Sequence, residues 1–63
     1  MKNIKLKRRR LRNGFTQQML ADAIDVSLSA YCKKENGINK FTIDEAFKIA
    51  KILKCDIKDI FFD

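Results

Sequence analysis

Proline is absent from this chain, and glycine occurs only twice, at Gly14 and Gly37. Proline breaks helices and glycine weakens them, so a sequence this poor in both favours helices with short connections. No alternating apolar and polar run is long enough to compete as a strand. The 63 residues allow one domain, spanning 1–63. A domain of this size buries only about 60% of its unfolded surface, so its core is thin and a deep active-site cleft does not fit.

The remaining punctuation divides the chain into five short helices. The first is expected from about Asn3 to Asn13, with Ile4, Leu6 and Leu11 as a weak apolar side and Gly14 as its stop. Phe15 then turns inward. Thr16 caps a second helix whose inner face carries Leu20, Ala21 and Ile24. Asp25, Val26 and Ser27 read as a tight turn, with Ser27 capping a third helix, about Leu28 to Glu35, that Asn36 and Gly37 end. In it only Ala30 and Tyr31 look inward. Thr42 and Glu45 form a capping box before an apolar stripe of Ala46, Phe47, Ile49, Ala50 and Leu53. Asp56 caps a short last helix containing Ile57, Ile60 and Phe61.

Charge is distributed unevenly. The formal net charge is +6, and Lys2, Lys5, Lys7, Arg8, Arg9, Arg10 and Arg12 crowd the first twelve residues without an acid among them. Such a field attracts polyanions, nucleic acid or anionic lipid, and on charge alone a solvated helix face that serves solubility stands level with nucleic acid. There is no histidine, and Cys32 and Cys55 are too few and too far apart for a disulfide framework or a zinc site. No cofactor, metal or small-molecule substrate is therefore expected. The basic N-terminus lacks the apolar run of a signal peptide, and no stretch approaches the roughly 20 apolar residues that span a bilayer. A cytoplasmic location with both thiols reduced is expected.

Residues Thr16 to Gly37, TQQMLADAIDVSLSAYCKKENG, carry the decisive signal. A short helix, a turn of about three residues and a second short helix form the layout of helix-turn-helix DNA readers, here over about 17–36. Ala21 is small where the two helix axes approach, and Leu20, Ile24, Val26 and Tyr31 supply their shared core. The segment resembles the phage repressor and Cro family. The resemblance is carried by Thr16-Gln17, Leu20-Ala21, Val26-Ser27, Tyr31 and Glu35-Asn36-Gly37, and downstream by Ile49 to Leu53 and Asp56 to Phe61. It implies a five-helix, all-α, phage-repressor-like DNA-binding domain with the third helix as recognition helix. Asp25 stands where the family usually has glycine, a position that aspartate tolerates better than most residues. Lys34 stands where the family usually has an apolar residue. Its stem is expected along the core edge with the ammonium in water, adding positive charge beside a phosphate.

The resemblance also implies roles. Ser27, Leu28, Ser29, Cys32 and Lys33 are expected to face bases in the major groove. For Ser27 capping alone is the alternative, for Leu28 an ordinary core place, and for Cys32 a redox thiol, less favoured than a small groove-facing side chain. Arg10, Thr16, Gln17, Asn36, Gly37, Asn39 and Lys40 are expected at phosphates, with Arg8, Arg9 and Arg12 as weaker candidates. Arg10 is expected to pair with Glu35, which would orient it towards a phosphate; a surface ion pair of little energetic value is the alternative. Ile57, Phe61 and Phe62 are expected at a weak homodimer interface, as against a hydrophobic cap on a monomer.

The chain thus reads as a sequence-specific regulator of transcription that binds double-stranded DNA, a repressor acting by operator occupancy. A protein-interaction module of antitoxin or anti-repressor type is the first rival. A membrane-active cationic helix has too little apolar surface, and no catalytic constellation is found for an enzyme.

Overall fold

The computed structural model describes residues 3–61. Its elements in chain order are α1 (Ile4–Arg12), α2 (Gln17–Ala23), α3 (Leu28–Glu35), α4 (Ile43–Ile52) and α5 (Ile57–Phe61), with no strand among the described residues. The fold is the expected five-helix, all-α arrangement.

Short side chains start the helices. Oγ1 of Thr16 accepts the Met19 N–H at 3.1 Å, Oγ of Ser27 accepts the Ala30 N–H at 3.1 Å, and Oγ1 of Thr42 accepts the Glu45 N–H at 3.1 Å. Glu45 returns the contact, accepting the Thr42 N–H at 3.0 Å. At α5 the contact comes from Asp59, whose Oδ2 accepts the Asp56 N–H at 3.1 Å. Each bond satisfies a donor that the helix itself leaves open.

The first four helices all stop by one device. A residue with positive φ follows the C-cap: Gly14 (77°), Asp25 (57°), Gly37 (82°) and Lys54 (55°). In each case its N–H and the next one reach back to the last turn. At the end of α2, for example, Asp25 N–H donates to the Asp22 carbonyl at 3.2 Å and Val26 N–H to the Ala21 carbonyl at 3.0 Å. This is the Schellman motif, which favours glycine because a Cβ strains the left-handed backbone. Asp25 occupies its expected place in the turn. Lys54 takes the same conformation although lysine has no preference for it.

The core joins Leu6 of α1, Leu20 and Ala21 of α2, Tyr31 of α3, Ile49, Ala50 and Leu53 around α4, and Ile60 of α5. Phe41 seals one edge, its ring meeting Tyr31 at 5.9 Å and Phe61 at 5.2 Å in edge-on contacts. Two expectations need correction. Ile4 and Leu11 are more than half exposed, and the second inward position of α1 belongs to Arg10. Phe47 is 57% exposed, because Ala46, Ile49 and Ala50 occupy the inward arc of α4 and the next residue is turned about 100° away. Long-range polar ties close the bundle: Asn13 donates to the Leu53 carbonyl at 3.0 Å.

Lys54→Gly should therefore raise thermal stability. Relief of left-handed strain, about 1–2 kcal/mol, outweighs the roughly 0.5–1 kcal/mol entropy cost of glycine. Asp25→Gly should be closer to neutral, since aspartate visits this region more readily. Differential scanning calorimetry checks both, and a fall of several degrees for Lys54→Gly would contradict the strain assigned to that helix end.

Candidate nucleic-acid interface

The α2–turn–α3 unit is built around one buried carboxylate. Glu35, 3% exposed, lies at the C-terminal end of α3 one turn beyond Tyr31. Its Oε2 accepts from Arg10 Nε at 2.9 Å and from the Tyr31 hydroxyl at 2.7 Å. Its Oε1 accepts from Arg10 Nη2 at 3.1 Å and from Gln17 Nε2 at 3.2 Å. Three helices thus meet at one side chain. Burial alone would push the Glu35 carboxyl up, but hydrogen bonds from Arg10 and Tyr31 outweigh it and hold the group below the usual carboxylate range. Bonding to Glu35 raises the Arg10 guanidinium further, and burial raises the Tyr31 phenol.

Tyr31 and Glu35 define the inner side of α3, and Ser29, two residues from Tyr31, lies about 200° round the helix. Ser27, Leu28, Ser29 and Lys33 are exposed and Cys32 is half-buried. Ser29, Cys32 and Lys33 fall at helical neighbour spacing, with Leu28 beside them, so one mostly polar face is presented. Leu28, at 43% exposure, lies outside the core. Ser27 caps α3 and is exposed as well. Cys32 is turned towards α2, where its thiol donates to Gln17 Oε1 at 3.2 Å.

The residues expected at phosphates flank this face. Thr16 and Gln17 open α2 on one side. Asn36, Asn39 and Lys40, all exposed, and the half-buried Gly37 follow α3 on the other. The Gln17 amide already touches both Cys32 and Glu35, which leaves one of its two N–H donors available.

Three expectations change here. Arg10 is 5% exposed, and Glu35 and the Phe15 carbonyl (3.0 Å from Nη1) engage its guanidinium. The expected pair with Glu35 is present and is buried, which excludes the surface-pair alternative and makes Arg10 an internal strut between α1 and α3. Lys34 does not reach into water. Its ammonium binds Glu45 at 2.9 Å and the Lys40 carbonyl at 3.1 Å, beside the Phe41 ring, so it braces the loop after α3. Arg12 is two residues beyond the inward Arg10, on the side of α1 turned away from α3, and with Arg8 and Arg9 lines a hollow against α5.

Asn3 has a part that its sequence position does not reveal. Its N–H donates to the Glu35 carbonyl and its amide to the Lys34 carbonyl, both at 2.9 Å. The start of α1 thereby holds the end of α3. Ile57 and Phe61 are half-buried, with Phe61 packed on Phe41. Phe62 lies outside the described residues.

A polar, outward helix face braced from behind and flanked by a helix start and a polar loop has the geometry of a DNA-reading element. The profile of the helix-turn-helix family matches residues 6–60. The chain belongs to this family of phage-repressor and Cro-type regulators. Comparison with curated proteins and with solved structures yields no match. This helix-turn-helix protein has no helix, among the described residues, that is long and apolar enough to cross a membrane.

The sign of the pH dependence follows from Glu35. Its carboxyl titrates lower in the folded state than the usual value of about 4.3, so its contribution is present above that pH and is lost as the pH falls through the folded value. Glu35→Gln should cost about 3 kcal/mol or more at neutral pH, because it leaves Arg10 buried without its counter-charge. It should also flatten the acid limb of stability. Urea midpoints from pH 7 to about pH 3 check this; a cost under about 0.5 kcal/mol would mean the pair is not a brace.

Proposed function

We propose that the chain is a sequence-specific transcriptional regulator acting as a repressor, with α3 in the major groove and promoter access blocked by operator occupancy. The observation that carries this reading is the exposed face of Ser27, Leu28, Ser29 and Lys33, with the half-buried Cys32 among them, held outward by the buried Arg10–Glu35–Tyr31 network. Serine donates to or accepts from base edges, Leu28 packs on a thymine methyl, and Lys33 donates to guanine acceptors or to a phosphate. Thr16, Gln17, Asn36, Gly37, Asn39 and Lys40 fix register through the phosphate backbone and read no sequence themselves. In this proposal Arg10 positions α3 and does not touch DNA directly.

A weak homodimer through Ile57 and Phe61 belongs to the proposal, as does action in the cytoplasm. Two-fold dimers read half-sites about 34–36 Å apart, which would make the operator palindromic. Exposed Ile43 and Phe47 on α4 favour a second reading as a protein-interaction module, since they give this face apolar surface that DNA contact does not use.

Selection from random duplexes separates the two readings. The expected result is an enriched site that Ser29→Ala/Lys33→Ala binds at least tenfold more weakly, each base contact being worth about 1–3 kcal/mol. No enriched sequence, together with an unaffected variant, would reject the regulator reading in favour of the protein-interaction module.

A further inference from the structure

The strongest concentration of positive charge is not on the recognition helix. All four arginines of the chain lie between residues 8 and 12. Arg10 points inward at Glu35. Arg8, Arg9 and Arg12, with Lys5, line a shallow hollow between α1 and α5 in which Asp59 is the one carboxylate among the described residues. Asp59 already accepts the Asp56 N–H. Among the described residues neither Arg8 nor Arg12 has a salt bridge, and both are exposed. The α1 helix contains no acidic residue.

The position of this hollow matters more than its charge. Arg10 marks the side of α1 that faces α3, and Arg12 stands about 200° from it. The hollow borders α5, whereas the base-facing residues belong to α3 and their flanks to the start of α2 and the loop after α3. Because the hollow lies on the side of α1 turned away from α3, one duplex on the α3 face leaves the α1–α5 face open to another. From Lys5 to Arg12 the helix rises about 10.5 Å, which spans about three phosphates of a strand at 3.4 Å each. Arginine suits this target, because its planar fork binds phosphate oxygens in pairs.

We propose that the outer face of α1, centred on Arg9 and Arg12, is a second, sequence-independent surface for a nucleic-acid duplex, so that one molecule bridges two duplex segments. The proposal rests on α3 as the operator-binding element and adds a surface which that reading does not use. The bridging contact is electrostatic, weakens steeply with salt and brings a distant DNA segment to an operator already occupied.

The test immobilises the selected operator duplex on beads, saturates it with protein and adds an unrelated labelled duplex across a salt series. Wild type should retain the second duplex, with retention falling as salt rises. Arg9→Gln/Arg12→Gln should bind the operator within about twofold of wild type. Its salt slope for the second duplex should be shallower by about 1.8, since each neutralised phosphate contributes about 0.9. Melting curves of both proteins confirm that the variant is folded. No retention by wild type, equal retention by the variant, or a parallel loss of operator affinity would overturn the proposal. Tighter capture of phosphatidylserine vesicles than of the second duplex would also overturn it and assign the face to a membrane. If selection enriches no operator, an unrelated duplex replaces it on the beads. Capture of the wild-type protein itself on those beads, lost in the variant, then supports the α1 face as a duplex-binding surface, while bridging and the α3 reading fail.

Discussion

The carboxylate of Glu35 sets the geometry on which the rest of the surface depends. It gathers donors from α1, α2 and α3, and each of its oxygens accepts two of them. A buried carboxylate is costly unless its lone pairs are filled, and here they are. The arrangement is demanding in angle as well as in number. Two Arg10 nitrogens approach the carboxylate as a fork, so α1 and α3 are held at a defined separation and rotation. An apolar contact of the same size would tolerate more sliding. The pair therefore contributes orientation more clearly than net stability.

That orientation determines what is left outside. With Tyr31 and Glu35 turned in, α3 presents the opposite side, and its neighbours keep it there. Asn3 holds its last carbonyls, Lys34 ties its C-terminal turn to Glu45, and Gln17 bridges its middle to α2. The thiol of Cys32 is a donor in this lattice although the residue is only half-buried, so it ties α3 to α2 from the edge of the outer face.

Much of this was readable from the sequence because it is local. Capping threonines, Ser27 and the glycines at positions 14 and 37 act on residues within a turn, and the stops of α1 and α3 and the starts of α2, α3 and α4 follow from them. The helix-turn-helix segment was legible for the same reason, and its family is shown by the match over residues 6–60. The failures came from contacts that span the chain. The inward rotation of Arg10 follows from where Glu35 sits, 25 residues away, and the bond from Asn3 to Lys34 spans 31. Nothing near Lys34 in sequence announces Glu45, the partner that keeps its ammonium from reaching water. The apolar character of Phe47 suggests an inner stripe, but its angle on α4 turns it outward. Lys54 shows the converse: the backbone imposes a left-handed stop where the side chain gives no sign of one.

The tie between α1 and α3 also bears on how such a protein responds to heat. An eight-residue helix does not persist in water alone, so α3 exists as a reading surface only while the whole bundle is folded. There is then no partly melted state in which the outward side chains of α3 remain arranged. Any ligand of that surface is bound with an apparent affinity scaled by the folded fraction. A domain with so thin a core unfolds with a small enthalpy and therefore over a broad span of temperature, so occupancy would be lost by degrees as the folded fraction declines.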